Sequence, residues 1–494
     1  MKRQWGVLAA MVVGALAFAA TAGSGCVFYL NPLCTDMIHN GDETGIDCGG
    51  PCKARCEIGD GCRVDADCED SMCTGGKCTP FPCNNGVHDG AETDIDCGGD
   101  TCRKCAGGRI CAADSDCVNG SCGADSTCTS LRTVSFADAV SYPSGEKTYV
   151  LFSGDLNGDG KIDLAAANEQ GNSVSVFLNN GAGLFQMAAP PFMTGAYPTG
   201  GAIADFNHDG IPDVVTADYH GNSVSVLLGT GAGALGPKAS YATLPEADTS
   251  NLAVGDLNKD GNLDVIATNP QKASISVFLG HADGTLDPAI DIPISFEGGY
   301  HPFSAAIGDF NADGNLDVAV CDIVTGPLVV MLGNGNGTFE TPFTEYPTGG
   351  VGPNIVMATD INLDGKLDLL VANRGASSVS VFLGRGPGPG QGDGTFRKPI
   401  TTSTGKDTGP YALAVADFNL DGVPDVVTPN YFSSSATVLL GTGDGHFEEP
   451  IATGRTGLTT YGVAAGDFNG DGKPDFATAN ASSNDVTVKM STSQ

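Results

Sequence analysis

From residue 133 to the C-terminus the chain repeats one pattern of apolar and polar positions. A small apolar run such as "GAIA" or "ALAVA" precedes a polar, acidic nonapeptide. A second apolar run such as "VVTA" or "LLVA" follows it. After a short turn comes an alternating segment such as "SVSVFLG". A Gly-rich turn, "GNGNGTF" or "GTGDGHF", then leads to a last short segment and "YPTG". Alternation of this kind is the mark of a strand, and Gly/Asn/Asp clusters mark the turns between strands. Each unit of about 50 residues therefore predicts four short strands, the signature of a propeller blade.

The nonapeptide reads D-x-N-x-D-G-x-x-D and occurs seven times. Its copies begin at Asp155, Asp205, Asp256, Asp309, Asp360, Asp417 and Asp467, spaced 50, 51, 53, 51, 57 and 50 residues apart. Phe185, Leu235, Leu286, Phe339, Phe396 and Phe447 end the Gly-rich turns, and Phe136 stands 19 residues before Asp155. After the last copy only two strand signals, "FATAN" and "DVTVKM", remain. The segment near Phe136 is therefore expected to supply the outer strand of the seventh blade. Closure of that kind leaves no free edge between first and last blades. The expected fold class is all-β: a seven-bladed β-propeller.

The loops carry hard oxygen donors at regular intervals. Asp at positions 1, 5 and 9, Asn at 3 and a backbone carbonyl at 7 suit Ca²⁺ rather than Zn²⁺ or Cu²⁺, and Gly at 6 permits a sharp turn. The candidate ligands in the first three loops are Asp155, Asn157, Asp159, Lys161 and Asp163; Asp205, Asn207, Asp209, Ile211 and Asp213; and Asp256, Asn258, Asp260, Asn262 and Asp264. The fourth and fifth offer Asp309, Asn311, Asp313, Asn315 and Asp317, and Asp360, Asn362, Asp364, Lys366 and Asp368. The last two offer Asp417, Asn419, Asp421, Val423 and Asp425, and Asp467, Asn469, Asp471, Lys473 and Asp475. The loop is not an EF-hand, which needs Glu at position 12, where the first copy has Ala166. The alternative is a plain hydrogen-bonded turn.

These repeats resemble FG-GAP/VCBS repeats, as in the seven-bladed propeller of integrin alpha subunits. The resemblance spans residues 133–494. It implies structural calcium, up to seven ions, in hairpin loops on one face, and ligand contact on the opposite face. Thirteen residues after each first Asp stands Asn168, Asp218, Asn269, Asp322, Asn373, Asn430 or Asn480. This register reads either as an Asx-turn capping the second strand or as a polar ring bordering a binding surface. The neighbouring turn residues vary freely, and Tyr219, His220, Tyr431 and Phe432 are the most ligand-like among them. The longest insertion, from Arg385 to Gly390, falls on the calcium side and reads as a flexible loop.

The N-terminal part has different chemistry. Lys2 and Arg3 precede an apolar stretch from Gly6 to Ala22, a signal-peptide pattern over residues 1–25. Ala20-Thr21-Ala22 offers an ordinary cleavage site. Gly23-Ser24-Gly25-Cys26 resembles a bacterial lipobox, with Gly23 departing from its usual apolar residue and Cys26 as the lipidation site. After a short tether, 26–33, two eight-Cys modules follow at 34–78 and 79–128, with matching text "NGDETGIDCGGPC" and "DGAETDIDCGGDTC". An even count in an exported chain reads as four disulfides per module, of open connectivity, with zinc binding the lesser reading. The modules loosely resemble Cys-rich spacers of exported Gram-negative proteins. The acidic stretches Asp42–Asp47 and Glu92–Asp96 read as solvated loops, or alternatively as cation sites.

Composition narrows the function. Asp+Glu outnumber Lys+Arg by 58 to 24, for a formal net charge of −34. No basic patch exists to replace phosphate counterions, which argues against nucleic acid. It also argues against docking on anionic lipid, leaving only a possible lipid anchor at the membrane. Of the 58 acidic residues, 21 are loop Asp, three per copy, so seven Ca²⁺ would bring −34 to about −20. No P-loop, nucleophile elbow or H-E-x-x-H is present, and Cys321 reads as a buried, inert thiol. The expectation is an extracellular binding or adhesion protein at the cell surface of a Gram-negative bacterium, anchored in the outer membrane or secreted. Its partner would be an extracellular protein or glycan. The alternative is a lectin-like propeller or an accessory domain of a polysaccharide-acting enzyme.

Overall fold

Each acidic nonapeptide joins two antiparallel strands, and each such pair forms the inner half of a four-stranded sheet. The computed structural model describes residues 133–494 except 295–299, 325–326 and 387–389. N-terminal to these it describes only 62–63, 71–74, 77–80, 92–94, 97–98, 104–105, 109–117 and 122–129. The leader, Cys26 and most of the first Cys module lie outside the described residues.

The first blade runs Thr148–Gly154, Asp163–Asn168, Ser173–Asn179 and Phe185–Met187, with a further short strand, Phe192–Met193, also on its third strand. This fifth strand departs from the expected four, and blade two adds a small ribbon, Gly229–Gly231 with Ala234–Leu235. Blades two to six repeat the four-strand order, with second strands Asp213–Asp218, Asp264–Asn269, Asp317–Asp322, Asp368–Asn373 and Asp425–Asn430. All seven second strands, including Asp475–Asn480 of the last blade, are buried along their whole length. This follows from their place within the sheet and between neighbouring blades, and it explains the unbroken apolar runs.

The ring closes as expected. Thr460–Gly466, Asp475–Asn480 and Asp485–Lys489 form three strands of the seventh blade, and Val140–Pro143 supplies the fourth. The seam continues beyond that strand. Phe136 bridges Ser491, and Thr133 and Gln494 exchange backbone hydrogen bonds at 3.1 Å. The Phe136 ring meets Phe476 edge-on at 4.8 Å and Phe418 at 5.9 Å.

The core is not central but lies between blades. Seven apolar clusters fill the seven interfaces, one per neighbouring pair. In the closing interface Leu164, Phe177 and Phe185 of blade one pack on Phe468, Ala477 and Val488 of blade seven. The Phe or Leu that ends each Gly-rich turn belongs to these clusters, as Leu235, Leu286 and Phe396 show. Burial of this apolar surface is the main stabilising term.

The chain divides into two units, Met1–Thr79 and Pro80–Gln494. At the end of the first, Ser71–Thr74 and Lys77–Pro80 pair as a hairpin, and Cys62 and Cys78 each take part in a disulfide. In the second unit, the Cys-rich stretch holds Cys97–Cys105, Cys111–Cys122 and Cys117–Cys128. The last two interleave, which ties a segment with almost no regular structure into one knot. Glu92 is buried there, and the Asp94 carboxylate accepts the Ile110 N–H at 2.8 Å.

Candidate functional site

The seven acidic loops share one hydrogen-bond pattern. The first Asp accepts the N–H of the sixth residue, a glycine, at 2.8–2.9 Å in every copy. Its other oxygen accepts the N–H of the fifth residue, and so does the Asn side-chain oxygen, as Asp209 shows with Asp205 and Asn207. The ninth residue is the buried anchor. One of its oxygens accepts the N–H of loop residue two at 2.7–3.1 Å. The other accepts the N–H sixteen residues on, past the third strand, at 2.6–2.8 Å.

Two backbone positions in each loop are left-handed. Position 6 is always glycine. Position 4 is Gly158 and Gly470 in two copies but His208, Lys259, Ala312, Leu363 and Leu420 in the others, with φ of 53–61°. Side chains other than glycine are disfavoured there.

Burial leaves the ninth carboxylate poorly solvated beside two like charges. Burial first, then the charges of Asp313 and Asp309, push Asp317 up to about 6. The same causes push Asp368 to about 7 and Asp425 to about 8. No loop brings three carboxylates within 4.8 Å of one another. Among the described residues, the one such triad of Cys, His, Asp or Glu is Cys111, Cys117 and Cys122, whose sulfurs are in disulfides. The acid groups thus border each loop without closing on a point. In two loops a lysine reaches in: Lys161 Nζ lies 3.0 Å from Asp159 and Lys366 Nζ 2.7 Å from Asp364.

The opposite face is reached along the strands. Tyr149 lies six residues before Asp155 on the inner strand, hence about 20 Å from the loop at ~3.3 Å per residue. The polar register found in the sequence is inside the protein. Asn168, Asp218, Asn269, Asp322, Asn373, Asn430 and Asn480 end the second strands and are at most 1% exposed. Asn168 donates to Ser173 and Ser175, Asn373 to Ser378 and Ser380, and Asn430 to Ser435 and Thr437. Asp218 accepts from Ser223 and Ser225, while Asp322 accepts the His301 N–H. Apart from Asp322, these side chains clasp the hairpin between strands two and three, and all seven are buried rather than forming a polar rim.

The turn residues beyond them do reach the surface. His220 packs against Tyr197 and Tyr219 at 4.5 and 4.9 Å, and its Nδ1 is 3.4 Å from Asp248. Phe432 is 58% exposed, and Val324, Val351 and Leu458 are exposed on the same face. The Gly390 N–H bonds to the Asp364 carbonyl, which places that end of the long insertion on the loop side. Its Pro387–Pro389 centre lies outside the described residues.

Sequence reasoning missed a tyrosine cluster. Tyr149 stacks on Tyr461 with centroids 4.3 Å apart, and Tyr411 meets Tyr461 edge-on at 4.6 Å. Tyr431 lies 5.1 Å from Tyr461, and the Arg374 guanidinium sits 5.6 Å from the Tyr411 ring centre and 5.9 Å from that of Tyr431. The Tyr149 and Tyr411 hydroxyls are hydrogen-bonded. Burial pushes the Tyr411 phenol up to about 12. The signal was present: six residues before each first Asp stand Tyr149, Thr199, Ser250, Phe303, Asn354, Tyr411 and Tyr461. Ring closure makes blades six, seven and one neighbours and so collects the three tyrosines.

Two of the cavities among the described residues bear on this face. One, about 690 Å³, is lined by Pro327, Glu345, Pro347, Thr348, Gly349, Gly350 and Val351 and has no ring to stack on. The other, about 450 Å³, is lined by Tyr431 and Tyr461 together with charged and neutral polar residues of blades one and seven.

A closed ring of seven four-stranded blades with an acidic hairpin loop in each defines a seven-bladed β-propeller of the repeat type. The FG-GAP-like repeat profile matches residues 155–216, 205–267, 256–320, 360–428 and 430–478, and the chain belongs to that family. No curated protein sequence matches it. Among solved structures, a streptogramin B lyase is 13% identical over 72% of this chain and 97% of its own, with a TM-score of 0.49. The Pseudomonas aeruginosa periplasmic gluconolactonase PpgL is 18% identical over 62% of this chain and 85% of its own, with a TM-score of 0.48. An Agrocybe aegerita lectin that recognises non-reducing terminal N-acetylglucosamine is 20% identical over 71% of this chain and 86% of its own, with a TM-score of 0.42. None of these likenesses bears on ligand or activity.

Proposed function

We propose that this protein is an exported, calcium-stabilised binding propeller whose face opposite the acidic loops contacts an extracellular protein or glycan. The observation that carries the reading is the sevenfold recurrence of one carboxylate network, with its buried ninth Asp beside two further acids. An all-oxygen, anionic donor set on a tight loop fits a hard cation. The Asp residues at positions 1, 5 and 9, the Asn at 3 and the carbonyl at 7 would hold it. When bound, Ca²⁺ supplies the positive charge that buried, crowded carboxylates lack.

Export accords with the disulfides seen in the Cys-rich stretch. Anchoring through a lipid on Cys26 fits an odd Cys at the end of a leader-like segment. A binding role is supported by the exposed Val324, Val351, Phe432 and Leu458, which lie on variable turns of one face. The test is capture of surface extracts and glycan arrays by the full chain in calcium. The Val351→Ser/Phe432→Ser double variant is expected to lose the capture with an unchanged melting temperature. Capture that survives this change but is lost on altering an outer strand, as in Val140→Asp, would place the contact elsewhere.

A further inference from the structure

The cavity beside the tyrosine cluster is built for a definite chemistry. Its volume, about 450 Å³, lies in the range of small-molecule sites. Tyr461 and Tyr431 give it an aromatic wall. That wall is held from behind, because Tyr149 stacks on Tyr461, Tyr411 meets its edge, and Arg374 sits over Tyr411 and Tyr431.

The remaining wall is polar and mostly neutral. Asn484 uses its side-chain oxygen to accept the Lys147 N–H at 2.7 Å, which leaves its NH₂ to donate. The Ser482 and Thr459 hydroxyls share one hydrogen bond of 2.7 Å and keep capacity for others. Gln170 is exposed at the rim. Lys147 is paired with Glu169 at 2.6 Å, so its charge is offset within the wall.

The occupant follows from what each alternative would meet. A cation would find the Glu169 carboxylate already paired with Lys147. An anion would approach Glu146 on a chain of net charge −34. A purely apolar molecule would leave the Asn484, Ser482 and Thr459 groups without partners, at a desolvation cost. A hydroxylated ring satisfies both walls, with its C–H face against tyrosine and its hydroxyls on the amides and hydroxyls. We infer that this cavity between blades six, seven and one binds a neutral saccharide, with a pyranose ring against Tyr431 and Tyr461. The inference rests on the reading of this face as the binding face and adds the ligand class.

The test titrates cellobiose, lactose and N,N′-diacetylchitobiose into the full chain in calcium, by calorimetry. At least one is expected to saturate. Tyr461→Ala then weakens binding roughly tenfold, the scale of a lost aromatic contact. Tyr461→Phe retains it within about twofold, since the stacking surface remains. Gln170→Ala, at an exposed site, weakens it about threefold, as for one neutral hydrogen bond, with no change in melting temperature. Saturation by none of the three overturns the assignment, and so does saturation indifferent to both Tyr461→Ala and Gln170→Ala. If no sugar binds while Val351→Ser/Phe432→Ser still abolishes surface capture, the binding face stands and the saccharide falls. If capture too is unaffected, both readings fall.

Discussion

The carboxylate of Asp425 accepts the backbone N–H of Gly441, sixteen residues further on, at 2.7 Å. Its second oxygen accepts the Phe418 N–H at 2.7 Å. One buried side chain thus fastens the acidic loop to the end of the third strand. The other six blades repeat the arrangement, so the ninth Asp has a structural task whether or not a cation is present.

This separates two kinds of loop variant. Asp425→Ala strands two buried N–H groups and is expected to cost roughly 2–4 kcal/mol in urea unfolding even in chelator, and more in calcium, where a ligand is lost as well. Asp417→Ala at position 1 removes a more accessible ligand. Its cost should be large in calcium and fall in chelator to that of the hydrogen bonds from Asp421 and Gly422. Equal costs for both variants under both conditions would contradict the division of roles.

The left-handed fourth position makes a prediction of opposite sign. Leu363 is 46% exposed and has φ of 58°. Leu363→Gly relieves an αL penalty of about 1–2 kcal/mol, partly offset by the freer unfolded chain. A net gain of about 0.5–1 kcal/mol is expected in chemical denaturation. A loss of stability would show that Leu363 makes a contact worth more than its strain.

The tyrosine cluster predicts an alkaline limit. The folded Tyr411 phenol is raised to about 12 by burial, against ~10 when unfolded. Below pH 10 both states are protonated and the full stability is present. Between pH 10 and 12 only the unfolded state loses its proton, so stability falls as pH rises. The fall from this group is roughly 3 kcal/mol, and Tyr411→Phe should flatten that part of the profile. An identical alkaline slope in the variant would contradict the assignment.

Ring closure can be loosened at one side chain. Phe136 packs its ring on Phe418 and Phe476 across the seam. Phe136→Ala is expected to cost about 2–4 kcal/mol in thermal or urea unfolding. It should also promote association through the exposed edge of the seventh blade. A loss below about 0.5 kcal/mol would mean that backbone pairing alone closes the ring.

The repeat, the blade count and the closing strand were legible because each depends on local pattern. Seven nonapeptides set the period, and Phe136 stands in register with Phe185 and Phe396. Asn168 was harder to place, because an Asn reads alike as a buried clasp or an exposed rim. Its partners Ser173 and Ser175, five and seven residues on, were the discriminating signal, repeated at Ser378 and Ser380 for Asn373. The tyrosine cluster was legible only as a shared position, six residues before the first Asp, and not as a contact. Tyr149 and Tyr461 are 312 residues apart in sequence and meet only because the first and last blades join.

The most direct test of the account is the melting temperature of the full chain in saturating calcium and in excess chelator. A cation bound only to the native state stabilises it by about 2.7 kcal/mol per site at one hundred times its dissociation constant. With several loops filled, chelation should lower the melting temperature by many degrees, and added Ca²⁺ should restore it. A melting curve indifferent to chelator would contradict calcium binding and leave the seven loops as hydrogen-bonded turns.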